Sequence, residues 1–436
     1  MLGVRRKLLE REVAGNPIRI GIIGAGQMGR GMVSQTVLMK GMIPSVVVDI
    51  VPENAKNALL NAGISADDIK IANTIGEAND FLKAGKYVIS DNTAIAIENN
   101  AVTSVIDATG VTEIGAKVAV DTIKSGKHIV MLNVETDVVV GPLLYKMAKK
   151  AGVIYTGSAG DEPGAVMEIY DFAASLGYDV RVIGKGKNNK VNLDSTPDSV
   201  AEEAAGKHMN PKMLTAFKDG TKTMVEMTAM SNATGFLPDV INGHAQYSTV
   251  PELPQLYRLK SEGGILNNFQ VVDYINGVAP GVFVIVSSPL PEVHHEMKYL
   301  SMGDGPNYVL FRPYHLCSLE TPMSVARLEL FGEPTIIPTA GAPYSETVTL
   351  AKKDMKTGEY LDGIGAYTVY GGFYSFKQAQ AENALPLGLV NKKTRLLTDV
   401  KKGQLITYDM VTLDSDSILY KLRMEQDSLL AQGNLL

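Results

Sequence analysis

Three stretches in the middle of the chain place ionisable side chains where they can bind anions or move protons. The first runs from Arg181 to Lys190 and holds four cations and two glycines at the end of an apolar strand. Because glycine lets the backbone approach a ligand, we expect Lys185 and Lys187 to hold a substrate anion or polarise a carbonyl oxygen. The alternative is a solvated basic loop, since lysines are mostly exposed.

The second and third stretches offer candidate acids and bases. Lys222 and Glu226 are four residues apart in a segment that reads as the start of a helix, so they share one face and can act as general acid and base. Arg312 and His315 follow an apolar strand; the arginine suits a phosphate or carboxylate, and the histidine titrates near neutrality. The alternatives are a surface ion pair in the helix, and an Arg312 that pairs with a nearby acid such as Glu320.

A pair of acids, Asp161 and Glu162, opens the middle region just before Pro163. Carboxylates can hold a divalent cation. Acids in a first turn with proline near N1 equally favour the helix dipole, and this second interpretation is preferred. The metal ligands, if a cation is bound, stay unassigned.

The order of the strands and helices that must position these groups differs between three parts of the chain. Residues 1–155 alternate strands and helices, which predicts a parallel sheet covered on both faces. Residues 156–342 mix long extended runs with helices without strict alternation, which predicts an α+β domain. Residues 343–436 read as short strands joined by Gly and Asp turns.

A glycine-rich turn follows the first predicted strand. Gly24, Gly26 and Gly29 have G-x-G-x-x-G spacing, with Gln27 and Met28 as the intervening pair, and a helical segment follows. In this context the first glycine permits a tight turn, the second lets a pyrophosphate approach, and the third packs the helix on the strand. We therefore predict a Rossmann domain that binds NAD or NADP.

Two further positions belong to the predicted cofactor site. Asp49 ends the second strand 20 residues after Gly29, where an acid binds the ribose 2′-hydroxyl and repels a 2′-phosphate, so Asp49 favours NAD. The segment made of Asp107, Ala108, Thr109 and Gly110 ends a later strand. It is expected to border the nicotinamide ribose, because ligands bind at the carboxyl ends of parallel strands. The alternative is a simple turn with Asp107 as a local cap.

Composition excludes several classes of function. The net charge of −6 argues against general nucleic-acid binding. One cysteine, Cys317, allows no disulfide within the chain, and no apolar run reaches the roughly 18 residues that span a bilayer. We expect a cytoplasmic protein without a membrane segment, whose first residues form a short helix packed on the domain that follows.

The segment from Gly126 to Asn133, GKHIVMLN, resembles the strand of homoserine dehydrogenases that ends in Ala-Asn-Lys. The resemblance implies that Asn133 belongs to the cofactor site. Val134 stands where that family has its lysine, which counts against ordinary homoserine oxidation.

Residues Ala384–Gly388 and Asp399–Val411 resemble a SAF domain, a small β-clip module. A homoserine-dehydrogenase-like domain joined to such a module is similar to the deoxyxylulose-5-phosphate reductoisomerase-like family. The resemblance implies reductive isomerisation of 1-deoxy-D-xylulose 5-phosphate, or of a similar phosphorylated ketose, in isoprenoid precursor synthesis. It also implies a homodimer or other homo-oligomer formed by the middle domain, use of NADPH, and in some members a divalent cation.

Two other functions stay open at this level. One is a plain NAD(P)-dependent dehydrogenase of a polyol, sugar acid or amino alcohol, which needs only a base and the cofactor. The other is a nucleotide-sensing regulatory protein, with the SAF-like region as a partner-binding part. The clustered ionisable residues of the middle region argue against the regulatory protein.

Overall fold

The computed structural model describes residues 3–435, and contacts within the chain divide it into two units. The first unit contains the residues up to Asp161, the segment Leu316–Ile337 and the residues from Ser417 onward. The second unit contains Glu162–His315 and Pro338–Asp416. Helices and strands are numbered along the chain.

A parallel sheet of seven strands forms the centre of the first unit, in the order β3-β4-β2-β1-β5-β6-β7. Its middle strands are buried along almost their whole length, which explains their near-continuous valine and isoleucine content. This confirms the predicted Rossmann-type sheet. The strands are β1 (Ile18–Ile23), β2 (Met42–Val48), β3 (Ile69–Ile71), β4 (Tyr87–Ser90), β5 (Ser104–Asp107), β6 (His128–Met131) and β7 (Tyr155–Gly157).

Nine helices surround this sheet within the described part of the chain. Val4 and Leu8 of the first helix are buried in the core of the unit, as expected for a helix packed on the domain. The helices are α1 (Val4–Val13), α2 (Gln27–Leu38), α3 (Pro52–Asn61), α4 (Ile75–Lys83), α5 (Ala94–Ile97), α6 (Thr112–Lys124), α7 (Val134–Ala151), α14 (Thr321–Phe331) and α16 (Ile418–Ala431).

Helix α7 begins at Val134 and runs through Pro142. Proline removes a backbone donor and disturbs the turn before it. The side chain of Gln426 on α16 enters this turn: its Oε1 accepts from Leu143 N at 3.1 Å and its Nε2 donates to Val139 O at 3.0 Å. Gln426 thus replaces a helix hydrogen bond, so the last helix of the chain is an integral part of the first unit.

The second unit is built on a mixed sheet in the order β11-β10-β8-β9, in which only β8 and β9 are parallel. The four strands of this sheet are β8 (Asp179–Lys187), β9 (Val271–Asn276), β10 (Val282–Ser287) and β11 (Tyr308–Arg312). The second unit also contains two antiparallel pairs of strands, β12 (Ser345–Ala351) with β13 (Val369–Ser375), and β14 (Arg395–Leu396) with β15 (Val411–Thr412). Its helices are α8 (Glu162–Ser175), α9 (Ala201–Gly206), α10 (Pro211–Lys218), α11 (Thr221–Thr234), α12 (Leu253–Leu256), α13 (Pro291–Tyr299) and α15 (Phe376–Ala381).

Residues Asp179–Lys187 form strand β8, and Lys185 and Lys187 are buried in it, so the alternative of a solvated basic loop is wrong for these two lysines. Val182 joins the cluster on one face of the sheet, while Ile183 joins the cluster that packs against α8 and α11 on the other. Because side chains alternate along a strand, Lys185 and Lys187 lie on the same face as Ile183. Gly184 lies under the ring of Phe283 on β10, where a Cβ atom would clash. The glycines therefore serve strand packing as well as chain flexibility.

The β12–β13 hairpin packs along α11 through polar side chains. Thr228 bonds Thr347 at 2.8 Å and Ser231 bonds Ser345 at 2.6 Å. Asn232 accepts hydrogen bonds from the backbone N–H groups of Tyr344 and Ser345. Residues 338–416 thus form a β-rich region of the second unit, and their SAF-like identity stays a prediction.

The boundaries predicted at 155/156 and 342/343 stay a prediction. The division into units assigns two later segments, Leu316–Ile337 and the residues from Ser417 onward, to the first unit. Residues 417–435 lie with the first unit, because Glu113 on α6 accepts hydrogen bonds from Ser417 Oγ and from the N–H groups of Ile418 and Leu419. Between residues 3 and 435, no helix has the length and apolar character needed to cross a membrane.

Candidate functional site

The glycine turn of the first unit is shaped by close backbone contacts. Gly24 has φ +100°, and a Cβ atom there would lie 2.7 Å from Ala108 O. A Cβ at Gly29 would fall well inside van der Waals contact with Gly24 O, so α2 can approach β1 only without a side chain. A Cβ at Gly26 would meet no atom of the described chain within 4 Å. The protein's own packing therefore needs two of the three glycines, and Gly26 is the one that suits approach by a phosphate.

Helix α2 begins at Gln27, directly after the turn, with Gly26 as its N-cap. No side-chain oxygen caps this helix end. The N–H groups of Gln27 and Met28 lie in its first turn, where a helix offers free donors to an anion. The turn therefore ends at a helix start without a side-chain cap, and pyrophosphate binding there stays a prediction.

Asp49 follows β2 at the same edge of the sheet. Its Oδ2 accepts a hydrogen bond from Ala25 N at 2.8 Å, and its Oδ1 accepts from Val51 N at 3.0 Å and from Asn54 Nδ2 at 3.1 Å. The carboxylate thus holds the glycine turn and the start of α3 together. Its role towards a ribose stays a prediction.

Asp107, at the end of β5, is completely buried. Its Oδ1 accepts from Thr109 N and Thr109 Oγ1, and its Oδ2 accepts from Asn133 Nδ2 at 3.1 Å. Burial raises the pKa of Asp107 to about 6, although hydrogen bonds from Thr109 and Asn133 oppose the shift. Asp107 therefore holds the turn that follows β5 and fixes Asn133 at the N-cap of α7.

The other two members of this segment shape its backbone. Ala108 N donates to Ile23 O at 2.8 Å, which joins the segment to the end of β1, and Gly110 has a positive φ of 63°. Contact of these residues with a nicotinamide ribose stays a prediction.

A buried ion cluster lies on the helix-covered face of the second unit's sheet. Lys185 Nζ donates to Glu162 Oε1 at 2.6 Å and to Glu226 Oε2. The exposed fractions of the three side chains are 6%, 11% and 3% respectively. Strand β8, the start of α8 and the middle of α11 each contribute one member. A cluster of this kind is stable only because each buried charge has a partner.

His315 extends the cluster, because its Nε2 lies 3.4 Å from Glu162 Oε1. Burial alone lowers the pKa of Lys185, but the carboxylates of Glu162 and Glu226 outweigh it, so the pKa rises above its ordinary value. Lys185 consequently keeps its proton at any physiological pH.

Lys187 lies two residues further along the same face and differs in its surroundings. Its Nζ donates to Phe217 O at 2.8 Å and lies 3.4 Å from Thr223 Oγ1. Burial, and then the neighbouring charge of Lys185, lower the pKa of Lys187 to about 8. A buried amine that titrates near neutrality can accept and return a proton during catalysis.

Arg312 and Lys222 lie at two further positions of the second unit, at the end of β11 and at the start of α11. Arg312 ends β11, where its guanidinium lies 3.4 Å from Glu168 of α8 and 4.6 Å from the ring centre of Tyr314. Lys222 is half-buried in the first turn of α11, one turn before Glu226. Neither position departs from the predicted elements.

The structure thus brings together Lys185, Glu226 and His315, which are three of the residues that the sequence suggested for catalysis, and adds Glu162. We expected Glu162 to serve mainly as a first-turn acid of α8, and its contact with Lys185 shows a further role. The sequence offered only one signal for this role of Glu162: the residue lies between glycines and next to Pro163, in the segment that precedes the stretch with Lys185. Only the packing of α8 on β8 brings it to Lys185.

One oxygen of Glu162 and one of Glu226 lie within 4.8 Å of each other, close enough to share a divalent cation. The ammonium group of Lys185 bonds both of them and stands where a shared cation would lie. With Lys185 charged, this arrangement does not fit a divalent ion, and we assign no step to one.

Residues 160–321 match the family model described as "Oxidoreductase DRL, catalytic domain". The matched region contains β8 and all six residues that the sequence suggested for catalysis. The match confirms the coarse prediction of an oxidoreductase. Membership of the deoxyxylulose-5-phosphate reductoisomerase-like family stays a prediction.

Among solved structures, a probable dehydrogenase from Thermotoga maritima is 14% identical, with a TM-score of 0.41 over 73% of this chain and 90% of that chain. Scyllo-inositol dehydrogenase from Lactobacillus casei, with NAD(H) and scyllo-inositol bound, is 12% identical, with a TM-score of 0.36 over 62% of this chain and 73% of that chain. No curated protein matches the chain.

Proposed function

We propose that this chain is an NAD(P)-dependent dehydrogenase of a small polyhydroxylated molecule, such as a polyol or sugar acid. The observation that carries the proposal is the glycine turn, with its two sterically required glycines, at the end of β1 in a chain whose residues 160–321 match an oxidoreductase catalytic domain. The turn and the start of α2 would hold the pyrophosphate, and Asp49 the adenosine ribose. The bound nicotinamide would supply or accept the hydride.

The second unit would supply proton transfer and substrate binding. In alcohol oxidation a base must remove the hydroxyl proton as the carbonyl forms. We assign this to Lys187 Nζ, because its pKa of about 8 lets it be a neutral amine at mildly alkaline pH. Lys185, fixed in its charged form, would stabilise negative charge on the substrate oxygen. Glu162 and Glu226 would orient Lys185 and accept hydrogen bonds from substrate hydroxyls.

A second candidate is reductive isomerisation of 1-deoxy-D-xylulose 5-phosphate or a similar phosphorylated ketose. The observation in its favour is the pair of buried ammonium groups, Lys185 and Lys187, side by side on β8, with Arg312 on β11 of the same sheet. In this reaction the cations would hold the phosphate and the ketone oxygen. A homo-oligomer and a cytoplasmic location are expected for either function.

A substrate panel followed by nicotinamide absorbance distinguishes these candidates. Polyols, sugar acids, homoserine and 1-deoxy-D-xylulose 5-phosphate are each assayed with NAD, NADP and their reduced forms. Turnover of an unphosphorylated polyol or sugar acid supports the dehydrogenase. Turnover of the phosphorylated ketose alone replaces it with the reductoisomerase, and absence of cofactor binding contradicts both.

The role of Lys187 has its own test. Lys187→Met should lower kcat by about 10²–10⁴, the usual contribution of a general acid–base group. In the unaltered protein, kcat for oxidation should rise as the pH increases through about 8. Lys190→Met is the matched control, because Lys190 is exposed just beyond the end of the same strand. Equal activity of the two variants would contradict the assignment.

A further inference from the structure

The carboxylate of Asp49 is held by three hydrogen-bond donors from two sides. Ala25 N reaches Oδ2 from the glycine turn, while Val51 N and Asn54 Nδ2 reach Oδ1 from the start of α3. Two of these donors are backbone groups, which are present whatever residue stands there. Asn54 is the one side chain among the three, so it is the donor that evolution or mutation can remove.

These bonds fix how the carboxylate can meet a ligand. A carboxylate has about four acceptor positions, and the three donors fill two on Oδ1 and one on Oδ2. The remaining acceptor position therefore lies on Oδ2, the oxygen that also contacts the glycine turn. A ribose hydroxyl can donate to it, whereas a 2′-phosphate would face an uncompensated negative charge. Ile50 and Val51, both exposed, offer no cation to offset that charge.

Asn54 itself is well anchored. Pro52 begins α3, and Asn54 N donates to Val51 O at 2.8 Å, so the first turn of the helix is formed at this residue. Its side chain is partly buried rather than fully exposed. Removing the amide would leave Oδ1 with the single donor Val51 N and Oδ2 with Ala25 N, so two donors instead of three would hold the carboxylate in its orientation.

We propose that Asn54 is a positioning residue for cofactor specificity: it holds Asp49 in the orientation that accepts the adenosine ribose of NAD and excludes the 2′-phosphate of NADP. This rests on the proposed binding of a nicotinamide dinucleotide at the glycine turn. Asn54 need not touch the cofactor, because it acts through Asp49. Its effect should appear in the relative affinities for the two cofactors and leave kcat at saturating cofactor unchanged.

The test measures dissociation constants of NAD and NADP by calorimetry for the full chain and its variants. Asn54→Ala should lower the ratio of NAD to NADP affinity on the order of 5-fold, which corresponds to about 1 kcal/mol, the usual net contribution of one hydrogen bond. Asn57→Ala is the matched control, because Asn57 lies on the same helix and is exposed; it should leave the ratio unchanged.

A double change separates positioning from general stabilisation. If Asn54 acts through Asp49, Asn54→Ala should have no further effect on the ratio in an Asp49→Ser background. An unchanged ratio in Asn54→Ala, an equal loss for both cofactors, a persistent effect without Asp49, or a preference of the unaltered protein for NADP would each overturn the proposal. Those results all require cofactor binding, whereas a protein that binds neither dinucleotide would overturn the proposed function itself.

Discussion

The two units form their polar sites in opposite ways. In the first unit, the glycine turn uses backbone groups from one short segment, and its shape follows from contacts too close for a side chain. In the second unit, Glu162, Lys185, Glu226 and His315 come from positions far apart in the chain, and each buried charge depends on the others. A site of the first kind tolerates distant changes, whereas a site of the second kind fails when any member is lost.

The largest effect is expected at Lys185, whose ammonium group is shared by two buried carboxylates. Lys185→Met removes the ammonium that bonds both Glu162 and Glu226, so the free energy of unfolding should fall by about 3–5 kcal/mol. Denaturant titration measures it. Lys298→Met is the control, because Lys298 pairs with Asp304 in the open and should change little. Equal stability of both variants would show that the cluster is hydrated and that the contrast between the units is mistaken.

The next prediction tests whether the first unit also depends on contacts between segments that are distant in the sequence. Gln426→Ala leaves Leu143 N without its acceptor, while Val139 O keeps the hydrogen bond from Arg423 at 3.3 Å, so the change should cost about 1–3 kcal/mol. Gln432→Ala, at the exposed end of the same helix, is the control. If melting shows the two variants to be alike, water replaces the bridge and α16 contributes by apolar packing alone.

A comparable effect separates packing from ligand binding within the glycine turn. Gly29→Ala forces α2 away from β1 and should cost about 1–3 kcal/mol of stability. Gly26→Ala meets no neighbouring atom of the described chain, so it should leave the melting temperature nearly unchanged and weaken NAD binding instead. Retained NAD affinity in Gly26→Ala would contradict close approach of the pyrophosphate at that residue.

The smallest change in stability is expected at a second set of ionisable side chains in the second unit, formed by His244, Asp273 and Asp239. His244 Nδ1 lies 2.9 Å from Asp273 Oδ2, and Nε2 lies 3.1 Å from Asp239 Oδ2. Burial lowers the pKa of His244, but its bond with Asp273 and the charges of Asp273 and Asp239 raise it above the ordinary value overall. The stability from this pairing is therefore complete below the unfolded-state pKa and is lost as the pH rises through the folded-state pKa.

Unfolding of His244→Gln and the unaltered protein across pH 5–9 measures this contribution as a difference. The difference in the free energy of unfolding between the unaltered protein and His244→Gln should become smaller as the pH rises above the ordinary histidine pKa of about 6.5. Tyr257, which donates to Asp273 at 3.1 Å, titrates far above this window, because burial and the charge of Asp273 raise its pKa. A difference that grows with pH would mean that His244 is neutral in the folded protein.

The extent of sequence prediction differs between the units for a physical reason. The strand, turn and helix around Gly24 follow from apolar periodicity and glycine spacing within one short segment, so their pattern is visible along the chain. The burial of Lys185 in strand β8 is not visible in the local sequence, because its partners Glu162 and Glu226 lie on other segments of the chain. The C-terminal helix belongs to the first unit because Gln426 and Glu113 make bonds across about 300 positions of sequence.

The sequence by itself determined the alternation of apolar strands and helices, the glycine turn and the acid after β2, since periodicity and backbone sterics act locally. It also placed Lys185, Glu226 and His315 among the groups of chemical interest. Only the tertiary structure decided which charges neutralise each other, that Lys187 rather than Lys185 titrates near neutrality, and that Asn54 holds Asp49. Those outcomes depend on burial and on distances between segments, and both exist only once the chain has folded.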